Sequence, residues 1–278
     1  MIQAKNVWKS YGNNQILKGL SLDVPLHSTV VILGRSGAGK SVLLRQIMGL
    51  DVPDEGSIWI GDTCISTLQG KAKQRSLLDV GMLFQSSALF DSMTIGDNVA
   101  FHLKQNGELH EDRRVSTSEI KDRVAKALNQ VGLDDYQDKL PSELSGGQKR
   151  RAALARLIIY HPKVLLFDEP TTGLDPITAN NINTLIASTV RSLGATAIVV
   201  THDLNSALEV GDYFALHHEG KIAYVDEKRA FLQKGDSLVR SYLEHAIVPP
   251  EFQEIIQEGI EEPIGQSDIK HVKEVVLR

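Results

Sequence analysis

The sequence has very little of several things. Only one of its 278 residues is cysteine, Cys64, and aromatic residues make up 5%. A lone thiol cannot cross-link its own chain, and a small secreted domain would carry an even set of cysteines, so a disulfide framework is excluded. Cys64 reads as a passive packing residue in a reducing compartment. Long apolar runs are also missing. Stretches such as Val30 to Leu33 and Val164 to Phe167 fall far short of the ~20 residues that span a bilayer. The start, Met1-Ile2-Gln3-Ala4-Lys5-Asn6, does not read as a signal peptide, because no apolar run follows a basic start. The chain is therefore expected to meet a membrane only through a partner. Positive charge is not in excess: 30 Lys and Arg stand against 35 Asp and Glu, a formal charge of -5. That balance counts against a nucleic-acid partner, which would leave a clustered basic footprint. There is no internal repeat and no low-complexity segment.

What is present is a hydrophobic content of 42%, enough for a sizeable core in one large domain or two lobes with a tail. Ile2 to Val7 and Leu20 to Val24 read as strands around a turn at Tyr11-Gly12-Asn13-Asn14. Thr29 to Leu33 is a continuous apolar run, as in a strand buried on both faces. It stops at a glycine-rich loop, and Val42 to Met48 follows with helical spacing. Two further buried strands are expected, Val164 to Phe167 ending at Asp168-Glu169 and Ala197 to Val200 ending at Thr201-His202-Asp203. In α/β sheets ligands sit beyond the carboxyl ends of the strands, where all three runs deliver polar residues.

Between about Gln85 and Tyr160 the texture is helical. Ile120, Val124, Leu128 and Val131 share one face, and a second helix is expected from near Ser145. Phe214 to Leu216 and Lys221 to Val225, around Glu219-Gly220, read as a hairpin. From about Ala246 a Pro- and Glu-containing tail begins, with Ile255, Ile256 and Ile260 at rough helical spacing.

Three segments carry chemistry. Gly34-Arg35-Ser36-Gly37-Ala38-Gly39-Lys40-Ser41 matches the P-loop pattern. Its glycines let backbone N–H groups face phosphate oxygens at a helix start. Lys40 would reach the β- and γ-phosphates, and the Ser41 hydroxyl would ligate Mg²⁺. The alternative is a glycine loop that binds nothing. Asp168, at a buried strand end, can hold Mg²⁺, and Glu169 beside it can polarise the attacking water; two solvated acids at a strand end are the competing reading. Leu144-Ser145-Gly146-Gly147-Gln148 makes a second anion-binding helix start, or simply an N-cap. One nucleotide cannot easily use both helix starts from one chain.

In this order the segments resemble an ABC (ATP-binding cassette) transporter ATPase, over residues from about Ile2 to Leu243. The resemblance implies an α/β fold: a P-loop NTPase (RecA-like) core with an antiparallel β subdomain and an inserted α-helical subdomain at about 86–160. It implies an ATPase domain at 1–245. The C-terminal extension at 246–278 carries Ile and Val residues amid acids, which point either to packing on a partner subunit or to a disordered tail. Leu144 to Gln148 matches the family signature, which caps the nucleotide held by the P-loop of a second, head-to-tail copy. Tyr11 matches the aromatic that stacks on adenine, and Val42 completes the ATP-binding run. Gln85 matches the glutamine that senses Mg²⁺ and the attacking water, which makes Ser41, Gln85 and Asp168 the metal set. Asp175, in Gly173-Leu174-Asp175, matches the loop that crosses the dimer interface, and His202 the switch histidine at the γ-phosphate. Glu169, His202 and Gln85 are then the catalytic residues, with ATP and Mg²⁺ as cofactors.

One departure subdivides the family. Gln148-Lys149-Arg150-Arg151-Ala152-Ala153-Leu154-Ala155-Arg156 carries Arg150 where many import ATPases have glutamine. That run resembles the ATPases of MCE-type (mammalian cell entry), Mla-like phospholipid transport systems. So do Gly81 to Phe90, Thr94 to Val99 and Phe231 to Leu243. The expected partners are a second copy, an integral permease, an MCE-domain protein and a small cytoplasmic accessory subunit, at the cytoplasmic face of the inner membrane. A permease helix is expected near Ala88, Leu89 and Phe90, unless these belong to the core of the helical lobe. The competing functions are an ATPase of a polar-solute importer, such as one for amino acids, and a soluble ABC protein. A single motif set and no long coiled-coil insertion count against the last.

Overall fold

The Tyr11-Gly12-Asn13-Asn14 cluster closes a hairpin, as its composition predicts. Strand β1 (Ile2–Tyr11) runs antiparallel to β2 (Asn14–Val24), with Tyr11 opposite Asn14. Gly12 takes φ 59°, the left-handed backbone that a two-residue hairpin loop needs. The structure is a computed structural model and describes residues 1–35, 37–111, 115–233, 236–244, 252–253 and 255. Ser36 and nearly all of 246–278 lie outside the described residues.

The chain then forms β3 (Thr29–Leu33), α1 (Lys40–Ile47), β4 (Glu55–Ile60), β5 (Thr63–Cys64), α2 (Gly70–Ser76) and β6 (Val80–Leu83). Next come α3 (Ile95–Glu111), α4 (Thr117–Gln130), α5 (Gly146–Ile158) and β7 (Val164–Asp168). The last part holds α6 (Pro176–Leu193), β8 (Thr196–Thr201), α7 (Leu204–Val210), β9 (Tyr213–His218), β10 (Lys221–Glu227), α8 (Lys228–Leu232) and α9 (Ser237–Glu244).

The strands make two sheets. One is antiparallel, in the order β2-β1-β4-β5, and the other has six strands, in the order β10-β9-β3-β8-β7-β6. In the second, β9, β3, β8, β7 and β6 are parallel and β10 closes the edge as a hairpin partner of β9.

The continuous apolar runs are explained by burial on both faces. Val31, Leu33, Leu165, Phe167, Ala197 and Val199 face α3 to α7 in one hydrophobic cluster. Their neighbours Val30, Ile32, Leu166, Ile198 and Val200 face α1 and the antiparallel sheet in the other. Side chains alternate along a strand, so a strand covered on both sides has no position for a polar residue. Each fully buried Val, Leu or Ile is stabilised by about 1.5–3 kcal/mol.

Helices α3, α4 and α5 all lie between β6 and β7. Val124, Leu128 and Val131 are buried and Ile120 packs beside them, so the expected face of α4 is the one that docks. Ser116 caps α4 by accepting from the Glu119 N–H at 3.2 Å. Phe252 and Ile255, the described apolar residues of the expected extension, pack on this same cluster of their own chain. Cys64 is half-buried and lies 3.3 Å from the Ser66 hydroxyl.

Candidate nucleotide-hydrolysis site

The sheet register brings the distant motifs to one edge. Leu33 pairs with Thr201, Asp168 with Val200, and Leu83 with Phe167. Gly34, His202 and Glu169 therefore follow directly beyond paired strand ends, and Gln85 stands two residues past the end of β6.

The P-loop wraps its own lysine. Lys40 starts α1, is 4% exposed, and donates from Nζ to the carbonyls of Gly34 at 2.8 Å and Arg35 at 2.9 Å. Gly39 precedes it at φ 102°, where an added Cβ would lie 2.5 Å from Ile16 Cγ2, so both backbone and space require glycine. A Cβ on Gly37 would meet nothing within 4 Å, so that side of the loop is open to a ligand. Burial lowers the Lys40 pKa below the ordinary lysine value, and the Glu169 and Asp168 charges oppose that drop.

Ser41 Oγ donates to Asp168 Oδ1 at 2.7 Å. Burial raises the Asp168 carboxyl above its usual range. The Ser41 bond and Lys40 counter the rise, and the neighbouring Glu169 adds to it. A hydroxyl and a half-buried carboxylate at this spacing are hard oxygen donors, and they fit Mg²⁺. No cluster of three or more His, Cys, Asp or Glu that could hold a metal occurs among the described residues. Mg²⁺ takes one or two protein ligands and completes its shell with phosphates and water. When bound, the ion would neutralise charge developing on the phosphates.

Glu169 sits at φ 47°, in left-handed backbone that costs a residue with a Cβ on the order of 1–3 kcal/mol. Its N–H donates to the Val200 carbonyl at 2.9 Å. Its carboxylate accepts from His202 Nδ1 at 2.9 and 3.0 Å, and from the Thr172 and Thr201 hydroxyls at 3.2 and 3.5 Å. It also lies 3.9 Å from Lys40 Nζ. Tyr242 on α9 donates to the His202 carbonyl at 3.2 Å. Burial, followed by the nearby charges of Glu169 and Asp203, pushes its phenol pKa up to about 12. No motif marks Tyr242 in the sequence, although its segment, Phe231 to Leu243, is one that resembles the MCE-type ATPases.

The signature forms the N-terminus of α5. Ser145 accepts from the Gln148 N–H at 3.3 Å and its own N–H donates to Gln148 Oε1 at 2.9 Å, a capping box. The N-cap reading is therefore realised, and the Ser145 hydroxyl proton remains available for a phosphate oxygen. Ser145 and Gly146 are exposed, and Leu144 is buried beneath them. Gln148 also donates to Tyr136 at 2.9 Å. None of these bonds reaches the P-loop of the same chain. Asp175 caps α6 by accepting from the Thr178 N–H at 3.0 Å, and Pro176 follows at the first helical position. The signature lies against the start of α6 and the loop before it: a Cβ on Gly147 would lie 2.6 Å from Thr178 Cγ2, and one on Gly146 3.5 Å from Leu174 Cδ2.

Gln85 is exposed in a turn just past β6, and its side chain makes no hydrogen bond among the described residues. Tyr11 is 45% exposed, and its hydroxyl donates to the Asp51 carboxylate. Asp51 is paired with Lys9 at 3.0 Å, and Lys9 Nζ sits 5.5 Å from the Tyr11 ring centroid. Asp51 supports Tyr11 from 40 residues away in the chain, and Lys9 from two residues before it on the same strand. Leu89 packs on the core, whereas Ala88 and Phe90 are exposed.

Together these groups suit hydrolysis of a nucleoside triphosphate held with Mg²⁺, on the fold of a P-loop ATPase. The family model described as ABC transporter matches residues 17–172. The probable ribonucleotide transport ATP-binding protein mkl of Mycobacterium leprae is 36% identical over 249 residues, covering 90% of this chain and 70% of that one. The methionine import ATP-binding protein MetN of Clostridioides difficile is 38% identical over 251 residues, 90% of this chain and 76% of that one. Among solved structures, a dimeric ATP-binding cassette in a post-hydrolysis state, bound to ADP and Pi, aligns with a TM-score of 0.74. It is 31% identical, over 82% of this chain and 98% of that one. The chain belongs to the ABC transporter family. Within that family it is the ATP-binding subunit, an ATP hydrolase that works with Mg²⁺.

Proposed function

We propose that this ATPase drives phospholipid movement in the cell envelope. It would work at the cytoplasmic face of the inner membrane with a permease, an MCE-domain protein, a small accessory subunit and a second copy of itself. The observation that carries the lipid reading is Arg150 and the run around it, which resembles MCE-type ATPases. Arg150 has a defined task in this fold, because its guanidinium is buried and bonded to the Phe84 carbonyl at 2.7 Å.

In this reading residues 1–245 are the ATPase domain and 246–278 an extension. Tyr11 stacks on adenine, and the P-loop from Gly34 to Val42 holds the phosphates. Ser41, Asp168 and Gln85 attend the metal. Glu169 polarises water for attack on the γ-phosphorus, the bond to the ADP oxygen breaks, and His202 contacts the γ-phosphate. Leu144 to Gln148 meet the nucleotide of the second copy, and Asp175 lies at that interface. The exposure of Ser145 and Gly146 supports a role between chains. Closing and opening of the pair would move a permease helix lodged near Ala88, Leu89 and Phe90. Among the described residues no helix is long and apolar enough to cross a membrane, which suits attachment through such a partner.

The second reading is a polar-solute importer, favoured by the likeness to the methionine import protein. Affinity capture of the tagged chain from detergent-solubilised membranes separates the two. Co-purification of a multi-span permease with an MCE-domain protein supports the lipid reading. A permease with a solute-binding protein overturns it in favour of the importer, and capture of no membrane protein overturns both.

A further inference from the structure

The turn that carries Gln85 is gripped from outside by the helix that begins at the signature. Ser87 N–H donates to the Phe84 carbonyl at 3.0 Å, which leaves Gln85 and Ser86 as the exposed centre of a turn. The same carbonyl accepts Arg150 Nη1 at 2.7 Å. Ser87 and Ala88 follow at φ 63° and 46°, backbone that a residue with a Cβ avoids. Both of their carbonyls go to Arg156, Ser87 O to Nη2 at 3.0 Å and Ala88 O to Nη1 at 2.6 Å.

Both arginines belong to α5. Arg150 is 6% exposed, and burial lowers both guanidinium pKa values below the ordinary arginine value. Among the described residues neither forms an ion pair with a carboxylate, so these carbonyls are the groups that satisfy them. Hydrogen bonds from a charged donor are roughly twice as strong as neutral ones. The far end of the loop has its own anchor. Fully buried Asn98 accepts from Phe90 N–H at 2.7 Å and donates to the carbonyls of Phe90, Met93 and Thr94. The arginines are therefore not needed to shape residues 90–94. They act on the part of the loop that bears Gln85.

We propose that Arg150 and Arg156 are positioning residues that fasten the signature helix to the Gln85 turn, so that a shift of α5 at the dimer interface moves Gln85 with it. This rests on the reading of Gln85 as the residue that attends the metal and attacking water. Charge-assisted bonds to three carbonyls make α5 and the turn one body, where a loop held only by its ends would let the helix move alone.

The test uses the full chain and Arg150→Met, with Arg156→Met as the second variant should the first not fold. Hydrogen exchange at residues 85–88 is expected to quicken about 10-fold while α1 and β8 stay unchanged. Turnover should fall about 10- to 100-fold with KM for ATP unchanged, as for a misplaced group remote from the chemistry. Arg150→Lys, which keeps one donor for Phe84, should recover part of it. In a Gln85→Ala background Arg150→Met should add no further loss, since residues acting as one unit are not additive. Unchanged exchange at 85–88, a uniform rise over the whole chain, or a further loss of turnover in the Gln85→Ala background overturns the proposal. Should Gln85→Ala itself leave turnover intact, the reading of Gln85 fails, and the exchange result still decides the fastening.

Discussion

His202 Nδ1 lies 2.9 Å from Glu169 Oε2 and 3.0 Å from Glu169 Oε1, so one ring nitrogen engages both oxygens of the carboxylate. Glu169 reaches this place through strained backbone at the end of β7, and His202 follows the end of β8. The contact depends on the parallel pairing of those two strands.

Replacing Glu169 by Gln keeps the side chain's size and removes its basicity. Turnover should fall about 10²–10⁴-fold, which is roughly 3–5 kcal/mol of barrier, while ATP still binds. Steady-state hydrolysis beside nucleotide titration checks this, and undiminished turnover removes Glu169 from the chemistry.

Tyr242→Phe removes the hydroxyl that holds the His202 carbonyl. A single hydrogen bond contributes about 0.5–1.5 kcal/mol, so turnover should drop a few-fold with nucleotide affinity unchanged. Equal loss of affinity and turnover would show that α9 supports the domain as a whole rather than the switch loop.

Gly147→Ala would drive a methyl group into Thr178. Overpacking of this kind costs about 1–3 kcal/mol, read as a lower unfolding midpoint and slower hydrolysis. Thr178→Ser takes away the clashing methyl and should restore both in the double variant. Failure of that rescue would mean Gly147 is needed for something other than the approach of α6.

His217 is 3% exposed, and neither ring nitrogen has a hydrogen-bond partner among the described residues. Burial first, then the charge of Lys40, pushes its pKa from 6.5 down to about 4. Between these values the unfolded chain binds a proton that the folded chain refuses. The associated stability is complete above about pH 6.5 and is lost as pH falls toward about 4. The loss is on the order of 3 kcal/mol. His217→Met should therefore flatten the fall in urea midpoint between pH 7 and pH 4.5, and identical pH slopes for parent and variant would sink the assignment.

Much of the fold was legible because its strands announce themselves. Val164 to Phe167 and Ala197 to Val200 are apolar at every position, and both are buried on two faces. Other elements carry no such signal. Helix α2 buries no residue, and β4 buries only Ile58, so neither shows a hydrophobic period. At the site, Gly34 to Ser41 and Leu144 to Gln148 are readable because they are contiguous. Asp51 behind Tyr11 and Tyr242 behind His202 are not, since each serves a residue about 40 positions away in the chain.

The sequence by itself determined which groups exist and which local shapes they take. A glycine loop before a lysine, a serine that can cap a helix, and an acid after a buried strand depend on backbone preferences that act within a few residues. The tertiary structure decided how they are held: the left-handed backbone of Glu169, the approach of Gly147 to Thr178, and the grip of Arg150 and Arg156 on the Gln85 turn. These depend on how separate helices and strands dock, and docking is set by packing of the whole core, which no local run of residues carries.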